Sequence, residues 1–219
     1  MKGRTLTPQE AGRVYDRIGR FQDWQRFYEG PATRDLETHA GFESTHSVFE
    51  LGAGTGAYAE RLLDGSLPPD AVYRGVDVSS RMIDLASERL ARFGDRARVD
   101  LVSGLPPLPG DDHSFDRFVA NYVFDLLSDD LTASILEEAR RLLTADGRLC
   151  VVALAPGGTA PARAVCSAWE ALWRRSPSLL GGCRPIDVVG LLDEHWHVDH
   201  MRTVTAWAVT SQVVIARPV

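Results

Sequence analysis

The 219-residue chain has 25% charged and 44% hydrophobic residues, ordinary values for a globular protein and enough length for one α/β domain with a substantial core. Its formal net charge of -6 argues against a tight phosphate-backbone binder, which displays a basic surface. No apolar run approaches the ~18 residues that cross a bilayer, and the first ten residues lack a signal-peptide hydrophobic region, so a soluble, cytoplasmic protein is expected. Cys150, Cys166 and Cys183 are odd in number and form no C-x-x-C pair, which suggests neither a disulfide framework nor a zinc ribbon. Lys2 is the sole lysine, which removes a Walker A loop, a Schiff-base mechanism and the Tyr-x-x-x-Lys pair of short-chain dehydrogenases.

Thr7, Pro8 and Glu10 predict a helix start, with Thr7 as N-cap, Pro8 in the first turn and Glu10 completing a capping box. Ala11, Val14, Ile18, Phe21 and Tyr28 then recur near the helical period, and Tyr15 to Tyr28 is dense in aromatics. Ser47 to Leu51 is a first strand; Gly52, Gly54 and Gly56 follow, and Ala59, Leu62 and Leu63 share helical spacing to about Asp64. The stretch reads as strand, tight loop, helix. Glycine suits such a loop because it tolerates positive φ and lets a ligand lie against bare backbone. Ala71 to Val76 is a second strand ending in Asp77, near the ~20-residue distance at which a carboxylate meets ribose hydroxyls. Ser79 or Ser80 caps a helix with Met82, Ala86 and Leu90 on one face, Ala97 to Val102 is a third strand, and Phe115 to Asn121 a fourth. Asn121 and Tyr122, at the carboxyl end of that strand, should face a ligand. Ser128 and Asp129 cap a helix striped by Leu131, Ile135, Leu142 and Leu143 and ended by Asp146-Gly147. Gly147 to Ala155 is the near-continuous apolar sequence of a central parallel strand covered on both faces. Further on, Pro161 to Trp173 and Asp187 to Trp196 are expected to be helical, and Val198 to Thr205 and Ala208 to Ala216 to be terminal strands. Strands alternating with helices in this order make a doubly wound, Rossmann-like α/β sheet, mostly parallel, with helices on both faces.

The segment E-L-G-A-G-T-G from Glu50 to Gly56, then Y-R-G-V-D at Tyr73 to Asp77 and F-D-R-F-V-A-N from Phe115, resembles in motif and order the class I S-adenosylmethionine-dependent methyltransferases. The likeness covers about Val48 to Ala155, and the F-D-x-x-V-A-x-x-V form looks like the small-molecule branch. It implies S-adenosyl-L-methionine as cofactor, S-adenosyl-L-homocysteine as product, a small-molecule methyl acceptor and no nucleic acid. It implies cofactor contacts from Glu50, Gly52, Ala53, Gly54, Gly56, Asp77, Val78, Met82, Gly104, Leu105 and Asn121. Asp77 would grip the ribose hydroxyls and Met82 would lie near the adenine or pack in the core. The family pattern makes residues 1–46 a helical cap over the active site, 47–155 the cofactor-binding core and 156–219 the substrate-side helices and a closing antiparallel hairpin. Tyr15, Trp24, Tyr28 and Tyr122 become candidates to line the acceptor cavity, with edge packing as their other role; Tyr15, Asn121 and Tyr122 are the positional candidates for catalysis.

The chain departs from its relatives at Gly104, where many carry an aspartate for the adenine amino group, and at Asn121-Tyr122-Val123-Phe124, which lacks the prolines of an Asn-Pro-Pro-Tyr segment. Gly52, Gly54 and Ala57 also satisfy the looser dinucleotide pattern, so a nicotinamide-dependent oxidoreductase is the alternative, and a non-catalytic cofactor-binding partner protein a third. Arg184 is a contact for an anionic group of the acceptor, or else a surface arginine or a member of an internal ion pair. His195 to His200 spells H-x-H-x-D-H, the zinc-ligand signature of metallo-β-lactamases, but none of Met201 to Val219 is His, Asp, Glu or Cys. No metal is expected there, only a polar edge where a helix enters a strand.

Overall fold

The computed structural model describes residues 7–18, 26–158, 163 and 183–219. Helices α1 (Pro8–Ile18) and α2 (Arg26–Ala40) precede the first strand, β1 (Ser47–Leu51). The chain continues through α3 (Ala57–Arg61), a wider π-type turn at Leu62–Ser66, β2 (Val72–Asp77), α4 (Ser80–Leu90), β3 (Ala97–Leu101) and β4 (Phe115–Asn121). It ends with α5 (Asp129–Leu142), β5 (Leu143–Leu154), β6 (Trp196–Ala206) and β7 (Val209–Pro218). The seven strands form one sheet in the order β3-β2-β1-β4-β5-β7-β6. Only β7 runs against its neighbours, pairing antiparallel with both β5 and β6, so the sheet has the mostly parallel, Rossmann-like architecture expected, closed by the antiparallel hairpin.

Alternation along the central strands feeds two cores. Phe49, Phe118, Leu149 and Val151 point to the face covered by α5, where they meet Ile135, Leu136 and Leu142. Val48, Val119, Cys150 and Val152 point to the other face and meet Ala32, Leu36 and Leu62 from α2 and the turn after α3. Side chains at successive strand positions face opposite ways, and here both faces are dry, which explains the unbroken apolar run of β5. Each fully buried Leu, Ile or Phe is worth about 1.5–3 kcal/mol.

The helix starts follow their signals. Thr7 and Glu10 close a reciprocal capping box, each side chain accepting from the other's backbone N–H at 3.2 and 2.9 Å. Ser79 Oγ accepts from Met82 N, and Ser128 Oγ from Leu131 N. Other expectations are corrected. Helix α5 ends at Leu142, four residues before Asp146-Gly147: Leu143 already pairs with Phe115, the next residues bulge out, and pairing resumes at Arg148 with Arg117. Instead of a helix from Asp187 to Trp196 there is one turn, Val189–Leu191, because Ile186 N donates to Leu154 O and Val188 N to Gln212 Oε1, holding the chain to the sheet. The predicted helix from Pro161 lies outside the described residues, as do Phe21 and Cys166.

Helix α2 had no signal in the periodicity, since Gly30-Pro31 interrupts its first turns. Tertiary contacts hold it. The buried Arg117 of β4 donates to the carbonyls of Ala40 (2.7 Å) and Gly41 (3.0 Å), placing a cation at the helix's negative end. Asp35 accepts from Arg202 (2.9 Å) and faces His200 Nε2 (3.1 Å), both on β6. These clamps leave the first half of α2 over the carboxyl ends of β1 and β4, where the ligand side of a parallel sheet lies.

Candidate active site

Two cavities open at the carboxyl ends of the central strands, and both are lined by Gly52, Asn121 and Tyr122. The loop after β1 forms their common floor. Gly52, Gly54 and Gly56 take φ values of +74°, +53° and +74°, Gly52 and Ala53 donate to Val76 O, and Gly54 N donates to Asp77 Oδ2 at 2.9 Å. The other Asp77 oxygen accepts from Ser79 N at 2.9 Å. Burial raises the Asp77 carboxyl above its ordinary range, and these backbone donors partly offset it. Glycine loop and acid are therefore one bonded unit.

The first cavity is apolar. Leu51, Val76, Val78, Met82, Val102 and Ile135 form its walls, Asp77 and Gly104 its edge, and Pro8 of α1 its cover. Gly104 has φ +76°, and a Cβ there would stand 2.6 Å from Val78 Cγ1 and 2.7 Å from Pro8 Cβ. Glycine at this position thus lets α1 close directly on the cavity. Asp16 anchors α1, accepting from Ser79 Oγ (2.6 Å) and Arg81 N (3.3 Å) at the start of α4.

The second cavity is polar. Glu50, Tyr58, Arg61, Asn121, Glu29 and Thr33 surround it. Glu50 accepts from Tyr73 Oη at 2.6 Å; the ring reaches it because Gly75, the strand partner of Glu50, leaves room, a Cβ there falling 2.5 Å from that hydroxyl. Burial pushes the Glu50 carboxyl up to about 8, with Tyr73, the neighbouring Asn121 and Arg61 opposing and Asp77 adding to the rise. Asn121 lies close to Glu50, yet its Oδ1 and Nδ2 make no hydrogen bond of good geometry, and neither does Tyr58 Oη. Buried polar atoms without partners are rare in native structures and costly, so three of them facing one cavity mark a place for a polar ligand.

Between the cavities stands Tyr122, with φ +55°. Strain of this kind costs about 1–3 kcal/mol and persists only where surroundings enforce it. Its amide donates to Val152 O (2.6 Å) and its hydroxyl pairs with Ser211 Oγ (2.9 Å) on β7. Burial raises the phenol well beyond its ordinary value, so Tyr122 holds its proton at neutral pH, and the Asn121 amide does not titrate.

Of the residues expected from sequence, Gly52, Asp77, Val78, Met82, Gly104 and Asn121 line the apolar cavity, and Glu50, Ala53 and Gly54 the polar one. Met82 is fully buried, the core packing that was one of its two readings, and it also forms part of the cavity wall. Gly56 lies outside both linings and packs on Ala86 of α4, and Leu105 is half exposed beside a separate shallow depression. Arg184 also lies outside both: its guanidinium donates to Leu127 O (3.1 Å) and Asp129 Oδ1 (2.8 Å), the internal ion pair that was its other reading. Trp24 and the side chains of Tyr15 and Tyr28 are outside the described residues. Sequence reasoning missed Tyr58, Arg61, Thr33 and Glu29. The first two are an i, i+3 pair opening the helix after the glycine loop, a spacing that puts them on one face and was open to notice; the last two arrive on α2.

The H-x-H-x-D-H stretch does not converge. Only His200 turns inward, across a register shift in β6, and meets Asp35 and His39 of α2 with ligand-type atoms within 4.8 Å of one another. The two imidazoles stack at 4.0 Å and 14°, and Asp35 is already held by Arg202. This cluster ties α2 to the hairpin.

Residues 49–149 match the family model of a methyltransferase domain. Over that stretch, somewhat under half of its length, the chain is similar to methyltransferase domains. A demethylmenaquinone methyltransferase of Thermotoga maritima is 36% identical over 112 residues, which is 51% of this chain and 45% of that protein, so the chain spans about half the length of the curated relatives it matches. Among solved structures, the [4+2]-cyclase SpnF superposes over 100% of this chain and 99% of its own with a TM-score of 0.72 at 14% identity. The O-methyltransferase NcsB1 of neocarzinostatin biosynthesis, solved with S-adenosyl-L-homocysteine and 1,4-dihydroxy-2-naphthoic acid, covers 86% of this chain and 54% of its own at a TM-score of 0.64 and 18% identity. At those identities the structural likeness speaks for the fold alone. Among the described residues, no helix is long and apolar enough to cross a membrane.

Proposed function

We propose that the chain is an S-adenosylmethionine-dependent methyltransferase for a small, largely apolar acceptor. The observation that carries this reading is the paired cavity: an apolar chamber beside Asp77 suits an adenosine, and a polar chamber beside Glu50 with three orphaned polar atoms suits an amino-acid group, the two meeting at Gly52, Asn121 and Tyr122. A dinucleotide fits less well, because its pyrophosphate would face Glu50 and Glu29 in the polar chamber, with Arg61 the single cation in that lining among the described residues.

The chemistry that S-adenosylmethionine supplies when bound is a methyl group activated by its sulfonium for in-line displacement. The chain's own part is to orient and to exclude water, effects that can account for several kcal/mol of barrier lowering. Glu50, Asn121, Gly52 and Gly54 would hold the amino-acid end and Asp77 the ribose. Val78 and Met82 would enclose the base, and α1, with Pro8 over the cavity and Asp16 on α4, would close it. The strained Tyr122, pinned at both ends, fixes the wall against which the acceptor's nucleophilic atom is presented. The acceptor itself would enter from the side of Val123, Leu126 and Leu127, an apolar approach, and the net charge of -6 is in keeping with a partner other than nucleic acid.

Titration of the protein with S-adenosylhomocysteine and with NAD(P)H, followed by calorimetry and thermal unfolding, tests the reading. Stabilisation by the first is expected, and stabilisation by the nicotinamide alone would overturn it. Methyl transfer from labelled cofactor to phenolic, quinol, amine and thiol acceptors then separates an enzyme from a cofactor-binding module.

A further inference from the structure

We infer that Arg61 is the residue that reads the α-carboxylate of the cofactor, and so decides whether the polar chamber accepts a complete amino acid; this rests on the cofactor reading above. Among the described residues, Arg61 is the one cationic side chain in that lining. Its guanidinium is held in advance: Nε donates to Glu37 Oε1 (2.7 Å), Nη2 lies 2.6 Å from the same oxygen and donates to Thr33 Oγ1 (3.0 Å), and Cζ stands 5.1 Å over the Tyr58 ring. These contacts use Nε and Nη2 and leave Nη1 for a ligand. Because Glu37 and Thr33 both belong to α2, the helix that covers the chamber also aims the cation into it.

The rest of the chamber matches the other half of a zwitterion. Glu50 and Asn121 Oδ1 offer acceptors to an α-ammonium, and Tyr58 Oη, buried and unpartnered on the same helix as Arg61, offers a hydroxyl to the carboxylate. Opposite signs are thus divided between the floor at β1 and β4 and the wall at α3. A ligand with an amine and no carboxylate satisfies the floor and offers nothing to Arg61 Nη1.

Isothermal titration calorimetry with three probes tests this: S-adenosylhomocysteine, its decarboxylated analogue S-(5′-adenosyl)-3-thiopropylamine, and 5′-methylthioadenosine, which lacks both charged groups. The wild-type chain is expected to prefer S-adenosylhomocysteine over the decarboxylated analogue by about tenfold or more, the worth of a charge-assisted hydrogen bond. Arg61→Met should abolish that preference and leave the affinity for 5′-methylthioadenosine unchanged, whereas Arg61→Lys should keep part of it. Glu37→Gln, which removes the partner's charge and keeps an Oε1 acceptor for the guanidinium, should keep most of the preference, while unchanged binding of 5′-methylthioadenosine guards against misfolding of Arg61→Met. Equal binding of the two amines by wild type, a preference that survives Arg61→Met, or an equal loss for all three probes would overturn the assignment. Wild type that binds none of the three would overturn the cofactor reading, and the assignment with it.

Discussion

If an ammonium group docks against Glu50, cofactor binding must be coupled to proton release. Burial holds the Glu50 carboxyl up at about 8, against the opposing influence of Tyr73, Asn121 and Arg61 and with the help of Asp77. At pH 7 the side chain is therefore mostly neutral, and an arriving cation requires the carboxylate. Ionising a group one unit below its pKa costs about 1.4 kcal/mol, or about tenfold in affinity. Affinity for S-adenosylhomocysteine should rise about tenfold from pH 6 to pH 7 and flatten above about pH 8, with nearly one proton released per ligand bound at pH 7. Calorimetry in buffers of different ionisation enthalpy counts that proton directly. Glu50→Gln should bind more weakly with a flat profile, and 5′-methylthioadenosine, having no ammonium, should show no such slope even with wild type. A wild-type affinity constant across pH 6–8, or binding without proton release, would refute the reasoning.

Gly104→Asp, which restores the residue type of many relatives, should lower stability by about 1–3 kcal/mol and weaken S-adenosylhomocysteine binding, because the new Cβ meets Val78 and Pro8 inside contact distance at a positive φ; thermal unfolding and titration read both. Asp16→Ala removes the bonds from Ser79 Oγ and Arg81 N, and should raise amide exchange across α1 by an amount equivalent to about 1 kcal/mol while the β4 and β5 amides stay protected. The Asp125 carboxyl is pushed up to about 7 by burial, only partly offset by the Leu154 N–H. A folded-state value above the unfolded one means that wild type loses stability as pH rises from about 4 through about 7. Denaturation of Asp125→Asn should show that loss much reduced, so the variant gains on wild type by a few kcal/mol at most between pH 5 and pH 8; a gap independent of pH would contradict the burial argument.

Local patterns determined much of this protein. The order of strands and helices from Ser47 to Leu154, the capping of α1, α4 and α5, and the bend at Gly52 to Gly56 all depend on residues close in sequence. Steric and hydrogen-bonding preferences there act over a few positions, so the sequence displays them. What only tertiary structure decided comes from residues brought together across long separations. Helix α2 exists over Gly30-Pro31 because Arg117, Arg202 and His200 hold its far end. Tyr73 reaches Glu50 because the strand register sets Gly75 beside it. The stretch before β6 is irregular because the sheet takes its amides. Arg61 faces the polar chamber because α2 supplies Glu37 and Thr33 to turn it there. Periodicity sees one element at a time, whereas the charge balance of a binding chamber is set by which elements meet.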